Sequence, residues 1–77
     1  MVNKNYISKL EKCGYHYFHS VRNVTIDTHY FKHKSNNTSI LIEDFGTEYD
    51  YFLRNEINGN VSFKRYSSFK QLLNNIK

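Results

Sequence analysis

The sequence predicts an α+β fold in which an N-terminal and a C-terminal helix flank an antiparallel sheet of three to five strands. Three observations predict it: an apolar stripe at helical spacing near each end, a middle rich in tyrosine, valine and threonine, and an Asn-Gly pair between two strand-like runs. Seventy-seven residues fit one domain, 1–77. We expect both helices on one face of the sheet, which leaves the other face open.

The first helix is predicted over residues 5–13, "NYISKLEKC". Asn5 is the candidate N-cap, because its side chain can accept from a free backbone N–H of the first turn. Gly14 is placed to end the helix in the left-handed conformation. The apolar stripe consists of Tyr6, Ile7, Leu10 and Cys13.

Strands occupy the middle of the chain. Residues 15–34 are rich in β-branched and aromatic side chains, which favour extended backbone. Polar and glycine-containing stretches mark the turns that separate the later strands. These are a turn at 35–37, a strand at 38–45 with Ile40 and Ile42 on one face, a turn at Gly46 and Thr47, and a strand at 49–57.

The "INGN" stretch predicts a hairpin whose register has two solutions. A three-residue loop, 58–60, places Ile57 opposite Val61, with Leu53 on their side. A two-residue loop shifts each pair by one residue and places Val61 opposite Glu56. Because a one-residue slip exchanges the two faces, burial of the apolar side chains favours the three-residue loop.

The C-terminal helix follows from "SSFKQLLNNIK". Its apolar residues recur at i, i+3, i+4 and i+7, which places them on one helical face. A serine three residues before a glutamine forms a candidate capping box at its start. The apolar residues are Phe69, Leu72, Leu73 and Ile76, and the capping pair is Ser68 and Gln71.

The preferred hairpin register predicts a binding platform on the open face. It sets Phe52 opposite Tyr66 and Arg54 opposite Lys64, which combines an aromatic pair with two cations. Rings can stack on bases and cations can contact phosphates, so single-stranded nucleic acid is one expected ligand. The alternative is an ordinary cross-strand aromatic pair beside solvated cations. Lys32 and Lys34 are candidates to extend this basic patch.

The net charge of +4 is unevenly distributed. Residues 43–50 carry four acids and no base, so the rest of the chain carries +8. A polar charge distribution of this kind suits docking on a charged protein surface. The candidate acidic docking residues are Glu43, Asp44, Glu48 and Asp50.

Cys13, His16, His29 and His33 have a spacing that resembles the ββα zinc finger, with His16 in place of that family's second cysteine. A small zinc-stabilised module is therefore one alternative. However, "VTIDTHYF" favours strand, and four residues along a strand span about 13 Å, too far for His29 and His33 to share one ion. We therefore expect no metal at these residues and no cofactor.

The composition resembles that of small accessory proteins from bacteriophages and mobile elements of AT-rich bacteria. The chain lacks alanine, proline and tryptophan, and asparagine, lysine, isoleucine, tyrosine and phenylalanine supply 37 of its 77 residues. The resemblance implies stoichiometric binding to a host nucleoprotein machine, for example inhibition of a CRISPR-type nuclease. A homodimer is a further possibility for a chain this small.

No nucleophile motif or glycine-rich phosphate loop occurs, so we do not expect an enzyme. The N-terminus lacks the hydrophobic stretch of a signal peptide, and no run of 18 apolar residues predicts a membrane span. We therefore expect a cytoplasmic protein without membrane contact.

Overall fold

The computed structural model describes residues 3–77 and has the predicted α+β architecture. A five-stranded antiparallel sheet runs in chain order, so each strand pairs with its sequence neighbours. One helix precedes the sheet and one follows it. The elements are α1 (Lys4–Lys12), β1 (Tyr15–Arg22), β2 (Asp27–His33), β3 (Thr38–Asp44), β4 (Tyr49–Ile57), β5 (Asn60–Tyr66) and α2 (Phe69–Ile76).

Helix α1 begins slightly earlier than the sequence pattern predicted. Its N-cap is Asn3, whose Oδ1 accepts a hydrogen bond from the Asn5 backbone N–H at 2.8 Å. The assignment of Asn5 as the cap was wrong because both positions carry asparagine, the residue that capping prefers. The helix ends as predicted, with Gly14 at a φ of +93° and its N–H bonded to the Glu11 carbonyl at 2.9 Å.

Helix α2 confirms the predicted cap and apolar face. Ser68 Oγ accepts from the Gln71 N–H at 3.2 Å. The Gln71 side chain accepts in return from the Ser67 N–H, one residue beyond the capping-box position. Phe69 and Leu72 are buried in the core.

The predicted strand region 15–34 is a hairpin of β1 and β2 joined by residues 23–26. Tyr17 pairs with Phe31 and His19 pairs with Tyr30, so Phe18 is the extra residue of a β-bulge. The bulge shifts the alternation of side chains along β1. As a result, Tyr17 lies on the helix-covered face and His19 on the opposite face.

Both helices cover the same face of the sheet. Leu10 of α1 and Leu72 of α2 are fully buried in one cluster with Phe31, Ile40 and Ile42. The predicted pairing of the two β3 isoleucines on one face is therefore confirmed. The ring of Tyr6 stacks on that of Phe69, with 3.8 Å between centroids and 8° between planes, and this contact joins the helices directly.

The β4–β5 hairpin has the two-residue loop, so the predicted three-residue register was wrong. Ile57 pairs with Asn60 and Glu56 with Val61. Asn58 and Gly59 have φ of +52° and +82°, the two left-handed residues that a type I′ turn requires and that Asn-Gly favours. The burial argument failed because β5 is an edge strand whose Val61 is exposed rather than packed.

Among residues 3–77, neither helix has the length and apolar character needed to cross a membrane.

Candidate functional site

The candidate functional site is the open face, the side of the sheet opposite the two helices. Strand register assigns its members, because side chains that pair across an antiparallel sheet lie on the same face. Phe18 joins them at the bulge, since the Lys32 ammonium lies over its ring. The other members are His16, His19 and Val21 of β1, Thr28, Tyr30 and Lys32 of β2, Ser39, Leu41 and Glu43 of β3, Asp50, Phe52, Arg54 and Glu56 of β4, and Val61, Phe63 and Arg65 of β5.

An apolar row crosses the middle of the open face. It consists of His19, Tyr30, Leu41 and Phe52, which are successive cross-strand partners. The rings of His19 and Tyr30 stack with 4.6 Å between centroids. These amphipathic and apolar groups form a continuous surface that no element among the described residues covers.

Charged rows of opposite sign flank the apolar row. On one side Lys32 pairs with Ser39 and Ser39 with Arg54, which forms the basic row. On the other side Thr28 pairs with Glu43 and Glu43 with Asp50, which forms the acidic row. The open face therefore changes from basic to acidic along the strand direction.

Most charges on the open face neutralise one another. Arg54 contacts the Glu56 carboxylate at 3.3 Å, and Arg65 contacts Asp50 at 2.7 Å. Lys32 and Glu43 are the two charged residues of this face with no ion pair among the described residues. Three carboxylates thus balance three Lys and Arg cations, and the face carries no net charge from these residues.

A depression of about 410 Å³ lies between the apolar and basic rows. Phe63 borders it on β5 with 59% of its surface exposed, and Phe18 borders it on β1 with 64% exposed. The Lys32 Nζ lies 5.9 Å from the centre of the Phe18 ring. Large exposed rings around a concave surface are typical of places where proteins bind a partner.

The structure divides the predicted aromatic and basic platform between the two faces. Phe52, Arg54 and Lys32 lie on the open face, as predicted. Lys64 and Tyr66 lie on the helix-covered face instead, because the two-residue turn shifts β5 by one position. Tyr66 is only 7% exposed, and the Lys64 ammonium lies 5.7 Å from its ring centre.

Phe63 and Arg65 take the places on the open face that the sequence reasoning gave to Lys64 and Tyr66. The Asn-Gly pair was the signal that could have identified them, since it favours the two-residue turn. Lys34 follows the end of β2, where its N–H donates to the Gly14 carbonyl at 3.0 Å. It therefore lies beyond the paired rows of the open face.

The predicted acidic docking segment is also divided. Glu43 and Asp50 belong to the acidic row, and Glu48 is exposed in the loop between β3 and β4. Asp44 is buried, so it is not available for docking. The Gly46 N–H donates to its carboxylate at 2.8 Å, and this hydrogen bond lowers the pKa of Asp44.

The four zinc-finger-like residues do not converge in the part of the chain that the structure describes. His29 and His33 lie four residues apart on β2, which confirms the strand prediction for this stretch. His16 lies on the open face, whereas His33 lies on the covered face. The His33 Nδ1 accepts from the backbone N–H groups of Ser35 and Asn36 at 3.1 and 3.2 Å.

A polar chain on the covered face was not anticipated from the sequence. Tyr17 hydrogen-bonds Ser20, and Ser20 Oγ lies 2.7 Å from His29 Nδ1. The His29 Nε2 is buried without a hydrogen-bond partner among the described residues, and burial lowers the pKa of this imidazole. Ser20 and His29 meet only because their strands pair, so no local motif marks them.

Comparisons with known proteins give no match: no family model fits the chain, and no similar curated protein or solved structure was found.

Proposed function

We propose that this protein is a non-enzymatic binding protein that acts stoichiometrically on a protein partner through its open face. The observation that carries the proposal is the exposure of Phe18 and Phe63 on a sheet face that neither helix covers. Rings of this size bury a large apolar area when a partner excludes water from them. We expect most of the binding free energy to come from apolar surface buried at the apolar row and at the depression beside it.

Charge balance favours a protein as the partner. Nucleic-acid interfaces are strongly positive, because cations must neutralise successive phosphates. On the open face, Arg54 and Arg65 already contact carboxylates of their own chain. An apolar centre with charged groups of both signs around it matches the anatomy of protein–protein interfaces instead.

The compositional resemblance to phage and mobile-element proteins suggests the class of partner. In this proposal the chain inhibits or modulates a host nucleoprotein machine in the cytoplasm, for example a CRISPR-type nuclease. Glu43 and Glu48 supply carboxylates that can meet a basic surface of such a machine. Binding to that protein surface would block its nucleic-acid path without any chemistry by this chain.

The test compares two apolar residues of the same hairpin that are equally exposed. Phe63 is 59% exposed and Ile57 is 61% exposed, but Ile57 lies on the side of the hairpin opposite the open face. A partner captured from host lysate is purified, and its affinity is measured by titration calorimetry. We expect saturation at a fixed stoichiometry and a loss of about tenfold or more for Phe63→Ser.

The Ile57→Ser variant is the matched control and should bind within about twofold of the unsubstituted protein. Equal losses for both variants, or none for Phe63→Ser, would exclude the open face as the docking surface. If the partner is a nuclease, added protein should stop cleavage at a stoichiometric endpoint. Inhibition that needs a large excess would contradict the proposal.

Single-stranded nucleic acid is a second candidate, because Lys32 lies beside the exposed rings of Phe18 and Phe63. Fluorescence anisotropy with an oligonucleotide of about 12 residues tests it, within the usual site size for such surfaces. This candidate requires binding that weakens steeply with salt and falls on Lys32→Ala. Lys64→Ala is the control, since Lys64 lies on the covered face. Absence of binding at low salt would exclude it.

A further inference from the structure

Lys32 and Glu43, the open-face charges without an ion pair among residues 3–77, lie on opposite sides of the apolar row. Thr28 is the cross-strand partner of Glu43, and it precedes Lys32 by four residues on β2. The two charges are therefore separated by one strand spacing across the sheet and about 13 Å along it. This arrangement makes the open face complementary to itself.

The self-complementarity depends on one particular twofold axis. This axis runs along the apolar row, perpendicular to the strands. Rotation about it generates a second sheet that stacks on the first with its strands in the reverse direction. The apolar row then lies on the same row of the second copy, and Arg65, the β5 partner of Phe52 at the end of that row, lies beside Arg65 of the second copy while each keeps its ion pair with Asp50. Lys32 faces Glu43 of the second copy, with a lateral offset of about 4.8 Å, and the same contact forms a second time by symmetry.

The other twofold axis within the interface gives an unfavourable arrangement. An axis parallel to the strands preserves the position of each row, so basic row lies on basic row and acidic row on acidic row. Lys32 then faces Arg54 of the second copy, and Glu43 faces Glu43 of the second copy. Like charges placed together in an interface disfavour the complex. The positions of Lys32, Arg54 and Glu43 therefore favour the first geometry.

We propose that a second copy of this chain covers the open face in the free protein, in a face-to-face sandwich with reciprocal Lys32–Glu43 ion pairs. Stacked sheets pack about 10 Å apart, a gap that the side chains of Tyr30, Leu41 and Phe52 can fill from both sides. The inference rests on the proposed function in one respect, because the second copy and the protein partner bind the same face. A protein partner must then displace the second copy.

The size of the face sets the expected strength of the dimer. Five strands spaced about 4.8 Å apart and about 20 Å long cover roughly 400 Å² per copy. A standard-size interface buries about 800 Å² per partner, so the sandwich lies at the small end. We therefore expect a dimer that exchanges with monomer and that a better partner can displace.

Sedimentation equilibrium with charge-reversed variants tests the proposal. The unsubstituted protein should form dimers as its concentration rises to about 1 mM, and added salt should weaken them. Lys32→Glu and Glu43→Lys should each weaken dimerisation about tenfold or more, since each places like charges at both symmetric contacts. Lys70→Glu, an exposed position on α2, is the control and should dimerise normally.

Mixing the two reversed variants provides the sharper result. In a mixed pair, the glutamate introduced by Lys32→Glu in one copy faces the lysine introduced by Glu43→Lys in the other, and the two unsubstituted residues face each other as well. Equimolar Lys32→Glu and Glu43→Lys should therefore form a heterodimer about tenfold or more tightly than either variant dimerises alone. The doubly reversed variant should form dimers again for the same reason. Failure of the mixture to associate would overturn the proposed geometry.

Two further results keep the test decisive. If a reversed variant does not fold by circular dichroism, the neutral variants Lys32→Gln and Glu43→Gln replace it, and each should reduce the salt dependence of dimerisation. An unsubstituted protein that stays monomeric to about 1 mM overturns the dimer and leaves the proposed docking function intact. The docking function is tested separately. The affinity of Phe63→Ser for the protein partner is measured at concentrations where this chain is monomeric.

Discussion

Phe63 lies directly opposite Arg54 across the β4–β5 hairpin, and both side chains are on the open face. The two-residue turn at Asn58 and Gly59 produces this pairing. A turn longer by one residue would exchange the faces of β5 and place Tyr66 beside Phe52 on the open face. The turn therefore determines which aromatic side chain of β5 contacts the core and which is available to a partner.

The register predicts unequal costs for two aromatic substitutions on β5. Tyr66→Ser should destabilise the protein by about 3 kcal/mol or more, because the ring is buried and its loss leaves a cavity. Phe63→Ser should change the free energy of unfolding by no more than about 0.5 kcal/mol, because the ring is exposed. Urea denaturation at low protein concentration measures both. The reverse order would show that the three-residue register is correct.

Gly14 and Gly59 have similar left-handed φ angles, +93° and +82°, but different surroundings. An added Cβ at Gly59 meets no atom within 4 Å, whereas one at Gly14 lies 2.7 Å from His33 Nε2. Gly59→Ala should cost about 1 kcal/mol from backbone strain alone. Gly14→Ala should cost at least about 2 kcal/mol, because contacts with Ser35 and Tyr15 hold the His33 ring. Equal costs in thermal or urea unfolding would contradict this assignment.

His29 should make stability fall as the solution becomes acidic. Burial lowers the pKa of this imidazole below its ordinary 6.5, so the unfolded chain binds its proton more readily than the folded chain. The contribution of neutral His29 to the free energy of unfolding is fully present above pH 6.5. It is lost as the pH falls from there through the pKa of the folded state. Unfolding measured between about pH 5 and 7.5 should show this slope.

Substitution identifies the source of that slope. His29→Asn should flatten the slope, because it removes the buried imidazole that titrates. Asp44 acts in a separate range, because the Gly46 N–H lowers the pKa of its carboxyl below 3.8. Its contribution is present above pH 3.8 and is lost only as pH falls further. A slope that His29→Asn does not change would exclude His29 as its cause.

The stacked pair of Tyr6 and Phe69 should couple the two helices energetically. In a double-mutant cycle with Tyr6→Leu and Phe69→Leu, we expect a coupling of about 0.5–1.5 kcal/mol, the range measured for aromatic pairs. Tyr6→Leu with Leu73→Ala is the comparison cycle, since both residues pack on the core without a ring contact between them. A coupling in the first cycle no larger than in the comparison would show that the stack does not join the helices.

The helices were predictable because their signals are local. The capping serine of α2 and its apolar spacing lie within nine residues, and Gly14 ends α1 through its own backbone angle. The same holds for β3, where Ile40 and Ile42 alternate with more exposed residues in a central strand. In a central strand, burial of one face determines strongly which side chains point to the core. The sequence pattern and the structure therefore agree for β3.

The edge strands were harder to predict because little of their surface is buried. On β5 only Tyr66 is buried, so alternation of apolar residues contains almost no information about its faces. On β1 the bulge at Phe18 interrupts the alternation without a glycine to mark it. The predicted platform therefore kept Phe52, Arg54 and Lys32 but misplaced its two β5 members, Lys64 and Tyr66.

The sequence by itself determined the α+β class, both helices, the positions of the turns after β2 and β3 and the presence of an open face, because caps, apolar spacing and glycine backbone angles act over a few residues. Only the tertiary structure decided which residues share that face. The ion pair of Arg65 with Asp50, the lack of an ion pair for Lys32 and Glu43 within residues 3–77, and the contact of Ser20 with His29 all depend on register between strands. Register depends on contacts between distant residues, and a slip of one residue reverses every side chain of a strand.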